Sequence, residues 1–117
     1  MTSINKISGK IINYNETYSG EIIFDENIIN INNREETNFA NYIIPGFVDL
    51  HCHGGGGFDT MDGIEAIQKM SEYHLSKGTT SLLATTWTSS FEHTYTALKN
   101  FNSLIDMSSN LIGVHLE

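Results

Sequence analysis

Residues 45–54 read Pro45-Gly46-Phe47-Val48-Asp49-Leu50-His51-Cys52-His53-Gly54. A Pro-Gly pair marks a turn, an apolar run of strand length follows, and two histidines two residues apart close it before Gly54-Gly55-Gly56-Gly57. With Ile43 and Ile44 in front, this is an entry turn and a buried strand that opens a β-loop-α pattern. The pattern continues downstream. Asp62 with Glu65 three residues later is a capping-box-like helix start. Ala66, Ile67, Met70, Tyr73 and His74 fall on one helical face, and Gly78 is a natural C-terminal stop. Residues 79–86 form a second strand. Ser89 and Glu92 repeat the capping pattern, and Phe91, Tyr95, Leu98, Phe101 and Ile105 mark one face of a second helix. Residues 111–117 form a third strand.

Linkers this long between strands imply parallel pairing through right-handed crossovers. The fold class is therefore α/β. A doubly wound open sheet and a (β/α)8 barrel both begin this way, and periodicity does not separate them. Upstream the composition differs: residues 1–42 hold nine of the twelve Asn. Ile-rich runs at 6–12, 19–24 and 27–31 are separated by Asn13, Asn15 and Asp25-Glu26-Asn27, as short strands are by turns. These read as a small antiparallel β unit, too short for a complete sandwich of about seven strands.

The chain has 117 residues with 14 acidic and 6 basic side chains, a net charge of −8. That charge argues against nucleic acid or an anionic membrane as a partner. One Cys excludes an intramolecular disulfide. No apolar run approaches the roughly 18 residues that span a bilayer. Residues 1–6 lack the charged start and apolar stretch of a signal peptide, so a cytoplasmic chain is expected. The sequence stops at Glu117, straight after the apolar Leu111-Ile112-Gly113-Val114, which suggests a portion of a longer protein.

The sharpest chemical feature is His51-Cys52-His53. Alternate residues of a strand share a face, so both imidazoles can reach one cation while Cys52 points away. Imidazole suits zinc and other divalent transition metals, and the C-terminal ends of parallel strands are where barrel enzymes keep their sites. Glu117, at the end of the third strand, could project a carboxylate toward the same end. Two His and one Glu would suit a catalytic metal with an open water position. The other candidates read blandly. Gly54 to Gly57 match neither phosphate-loop nor dinucleotide spacing and read as a flexible loop. His74 and His93 read as structural or surface residues, Cys52 as a small buried apolar side chain. Trp87 could line the mouth of the site, although packing is its default role.

The run from Pro45 to Gly54 resembles the first-strand signature of the amidohydrolase superfamily. Gly55-Gly56-Gly57-Phe58-Asp59-Thr60-Met61-Asp62, residues 78–86 and Gly113-Val114-His115-Leu116-Glu117 narrow the resemblance to deacetylases of amino-sugar phosphates. It implies the N-terminal part of a (β/α)8 barrel preceded by strands of a small β-sandwich domain. Residues 1–42 would be the sandwich strands, and 43–117 the first three strands and two helices of the barrel. It implies hydrolysis of the acetamide of an amino-sugar phosphate by a full-length homodimer holding one or two divalent metals, zinc or iron. His51, His53 and Glu117 are carried over as metal ligands, Asp49 as a structural or supporting residue, and His115 not as a ligand. The acid/base Asp and two further metal histidines have no counterpart within 117 residues, so this chain by itself is expected to be inactive and to bind metal weakly. Rival readings are another amidohydrolase, dihydroorotase-like or a nucleobase deaminase, and a non-catalytic oligomerising module.

Overall fold

The structure, a computed structural model, describes residues 3–35, 38–108 and 110–117. Met1 and Thr2 of the N-terminal reading lie outside the described residues. The chain is mixed α/β and divides into two compact units, Met1–Pro45 and Gly46–Glu117.

The first unit is a four-stranded sheet. β1 (Asn5–Ile12), β2 (Thr17–Phe24) and β3 (Ile28–Asn33) form an antiparallel meander, close to the three Ile-rich runs. β4 (Tyr42–Ile43) then pairs parallel with β1, giving the order β3-β2-β1-β4. The purely antiparallel expectation therefore fails at one edge. The expected Pro45-Gly46 turn separates β5 (Phe47–Cys52) from Tyr42 and Ile43, and these two residues run along β1 as an added edge that the local pattern does not signal.

The second unit begins with β5. A two-stranded hairpin follows, β6 (Gly54–Gly55) and β7 (Phe58–Asp59). The four glycines are thus not a flexible loop. Gly56 and Gly57 have φ of 64° and 88°, the left-handed values that a tight two-residue hairpin turn requires and that glycine adopts without steric cost. Then come α1 (Ile64–Ser76), β8 (Thr79–Thr85), α2 (Phe91–Leu104) and β9 (Leu111–His115). β5, β8 and β9 make a parallel sheet in the order β5-β8-β9.

Helix boundaries differ slightly from the capping readings. Gly63 rather than Asp62 precedes α1, with no side-chain cap. For α2 the cap is Ser90, one residue beyond Ser89, its hydroxyl accepting from the His93 amide at 3.3 Å. The buried faces are narrower than the periodicity suggests. Ile67 and Met70 of α1 and Ala97, Phe101 and Leu104 of α2 pack with Cys52, Leu82, Ala84 and Leu111 of the sheet. Tyr73, Phe91 and Tyr95 stay exposed, and Phe91 and Tyr95 stack on each other at 6.0 Å. Buried Asn110 secures the entry to β9. Its Nδ2 donates to the carbonyls of Ser71 and Thr79, each at 3.1 Å, so no buried amide group there goes unpaired. Among the described residues no helix is long and apolar enough to cross a membrane.

Candidate metal centre

The C-terminal end of β5 is shaped by a register shift between Asp49 and Cys52 in its pairing with β8. At that irregularity the Thr85 hydroxyl accepts from the Cys52 amide at 2.9 Å, supplying a bond the shifted ladder does not. The Asp49 carboxylate accepts from the His51 amide at 3.1 Å, a supporting contact to the backbone rather than a place among the donors. Glu117 lies two residues past the end of β9, not on the strand as the sequence suggests. It is held there all the same, because its amide donates to the Thr86 hydroxyl at 3.2 Å and the Thr86 amide to the His115 carbonyl at 3.0 Å.

These contacts bring His51, His53 and Glu117 together. His53 Nε2 is 2.8 Å and His51 Nε2 3.3 Å from the same oxygen, Glu117 Oε2. The two imidazole nitrogens are 3.0 Å apart. Ligands about 2.0–2.1 Å from a tetrahedral zinc stand roughly 3.3 Å from one another, and closer at smaller angles. The donor triangle has that size. Protons can join these atoms only pairwise, whereas a cation takes a lone pair from each of the three. The residues therefore fit a divalent metal. His53 is the most enclosed of the three, with a side-chain exposure of 22% against 50% for His51 and 47% for Glu117.

His115 stands beside the cluster, its ring 4.5 Å from that of His51. Its Nδ1 lies 3.1 Å from the Leu50 carbonyl, which turns it away from the three donors. His74 lies near buried Cys52, with Nε2 3.3 Å from Sγ and 3.1 Å from the Gly54 carbonyl. With Asp49 these residues form a second close group of donor types, but its atoms are engaged with backbone. Burial pushes the Cys52 thiol up, and the Asp49 charge adds to this, so the thiolate that binds metal is disfavoured. The structural reading of His74 thus acquires a specific content: it braces the glycine hairpin. His93 is exposed on α2. The sequence reading passed over Asp59, Thr85 and Thr86, whose hydroxyl or carboxylate roles depend on partners about 25 or more positions away. The place of Trp87 just past the second strand is legible in the sequence, but its neighbour is not.

The fold and the donors define a class: parallel βα units with a His/His/Glu set gathered where the strands end. The relatives are more specific, for the chain is similar to N-acetylglucosamine-6-phosphate deacetylases. One from Lysinibacillus sphaericus is 37% identical over 81 residues, covering 65% of this chain and 21% of that protein. One from Bacillus subtilis (strain 168) is 39% identical over 84 residues, covering 64% and 21%. The crystal structure of N-acetylglucosamine-6-phosphate deacetylase from Thermotoga maritima matches with a TM-score of 0.85 at 32% identity, over 96% of this chain and 31% of that one. The resemblance read from the motifs is thereby upheld. No family model matches the sequence. The chain spans about a fifth of the length of the curated relatives it matches.

Proposed function

We propose that this chain is a portion of a metal-dependent amidohydrolase that hydrolyses the acetamide of N-acetylglucosamine 6-phosphate to glucosamine 6-phosphate and acetate. The observation that carries the reading is the convergence of His51, His53 and Glu117, with Nε2 to Oε2 distances of 3.3 and 2.8 Å, in a chain whose relatives are deacetylases. On this reading residues 1–42 are strands of a β-sandwich domain. Residues 43–117 supply the first three strands and two helices of a (β/α)8 barrel, and the full-length enzyme is a cytoplasmic homodimer.

His51 and His53 act as nitrogen donors and Glu117 as a carboxylate donor to one or two ions of zinc or iron. A divalent cation held by these donors would supply Lewis-acid polarisation of the acetamide carbonyl and would acidify a water toward a pKa of ~7. Thr86 keeps Glu117 at the strand end and Thr85 holds the Cys52 amide between the two histidines, and these contacts set the donors side by side. The amine leaves only when its nitrogen is protonated, which demands a positioned acid. Among the described residues none is assigned that role, and the acid is expected from an Asp outside these 117 residues.

The test is a chimera in which the matched segment of the Bacillus subtilis deacetylase is replaced by the corresponding residues of this chain. The expected result is metal-dependent release of acetate from N-acetylglucosamine 6-phosphate, lost on His53→Ala, while the 117-residue chain alone shows no turnover. A folded, metal-loaded chimera without that activity would contradict the reading.

A further inference from the structure

His53 poses a problem that the donor triangle does not solve. Its second ring nitrogen, Nδ1, is buried and has no hydrogen-bond partner among the described residues. A metal-binding imidazole is ordinarily oriented by a hydrogen bond at that nitrogen to a carboxylate or carbonyl. Here the ring is held by a different contact. The indole of Trp87 stacks on it with centroids 4.0 Å apart and planes at 21°.

The indole is itself fixed. Trp87 Nε1 donates to Asp59 Oδ2 at 2.7 Å, and Asp59 Oδ1 accepts from the Met61 amide at 2.8 Å. Both carboxylate oxygens are thus committed, one to the indole and one to backbone. Asp59 lies on β7 and pairs with Gly54, the residue after His53. The glycine hairpin therefore returns the chain to the side of His53 and delivers there the acceptor for an indole that comes from the end of β8.

We propose that Trp87 and Asp59 are positioning residues for His53: the hairpin carboxylate anchors the indole, and the indole fixes the imidazole plane so that Nε2 meets the metal. This rests on the metal-site reading above. It also explains why a half-exposed tryptophan is kept in one orientation by a charged acceptor.

The chain has one Trp, so its emission reports on His53 directly. Cobalt(II), a quencher of indole emission, is titrated into the 117-residue chain, with uptake measured independently by equilibrium dialysis. The wild-type chain should bind with loss of Trp87 emission. Trp87→Ala, which removes the stacking ring, should bind roughly tenfold more weakly, as loss of a residue that orients a ligand does. Asp59→Ala and Trp87→Phe each keep a ring on His53 but lose the hydrogen bond that anchors it, so both should weaken alike and by less, about threefold, and Asp59→Asn, which keeps one acceptor oxygen, should fall between wild type and Asp59→Ala. Circular dichroism checks that each variant is folded; should Trp87→Ala unfold, the Asp59 pair carries the comparison. Wild-type affinity in folded Trp87→Ala, or equal weakening in Trp87→Phe and Trp87→Ala, would overturn the proposal. A wild-type chain that takes up no cobalt would instead overturn the metal-site reading.

Discussion

The two units solve the problem of a small sheet differently. In Met1–Pro45, Ile11 is the one buried hydrophobic side chain among the described residues, while Ile4, Ile7, Ile28, Ile29 and Ile31 remain exposed. Its strands meet mainly through backbone pairing, and its ionic contact is Arg34 with Glu21 at 2.7 Å. In Gly46–Glu117 two helices pack on one sheet, with Ile67, Met70, Leu82 and Phe101 essentially inaccessible, although β5, expected as a buried strand, buries only Cys52 and leaves Phe47, Val48 and Leu50 exposed. That unit also holds the donor cluster. The contrast teaches that donors at strand ends need a stiff platform. Side chains from two places in the sequence, His51 with His53 and Glu117, stay within 3.3 Å of one another only if the strands beneath them cannot slide.

The most severe way to break the contrast is to truncate an apolar side chain in each unit. Phe101→Ala should cost about 3–5 kcal/mol, since it leaves a cavity in a close-packed core. Ile28→Ala, at an exposed position of β3, should stay within about 0.5 kcal/mol. Denaturant unfolding of both variants checks this. Similar losses in the two would mean that the Ile-rich strands bury more than the comparison allows.

A smaller effect sharpens it through pH. In the first unit the Arg34 guanidinium beside Glu21 holds that carboxyl below its ordinary value. Its contribution is present above the unfolded value and lost as pH falls through the folded one. In the second unit burial raises the Cys52 thiol. The folded chain keeps this proton where the unfolded chain releases it, so stability falls as pH rises past the ordinary thiol value of about 8.5. Stability measured from about pH 8 to about pH 10 should decline more steeply in wild type than in Cys52→Ala. The acid-side effect of Arg34→Ala should be slight, because the Arg34 side chain is half exposed and the pair is screened. The reverse ranking would break the assignment of the buried group to the second unit.

Much of this architecture was legible in the sequence because its signals are local. The Ile-rich runs, the β-loop-α alternation and the His-Cys-His spacing depend on neighbours one to four residues apart. Gly78 ended its helix as expected, with a φ of 96°, for the same reason. The failures share the opposite cause. The parallel edge β4, the hairpin made by Gly54 to Gly57, and the exposure of Phe91 and Tyr95 follow from which elements lie alongside, and periodicity carries no such information. In the candidate site the donor residue types could be named from spacing and resemblance. What steadies them could not: Thr85 reaches Cys52 across 33 positions, Thr86 reaches Glu117 across 31, and Asp59 reaches Trp87 across 28.

The central claim is that His51, His53 and Glu117 form one divalent-metal site. Equilibrium dialysis of the chain against zinc, with metal counted by mass spectrometry, tests it most directly. Bound zinc is expected in the wild-type chain and should be lost in the His51→Ala/His53→Ala double variant, with both proteins folded. Zinc uptake unchanged by the double substitution, or none in the folded wild-type chain, would contradict it.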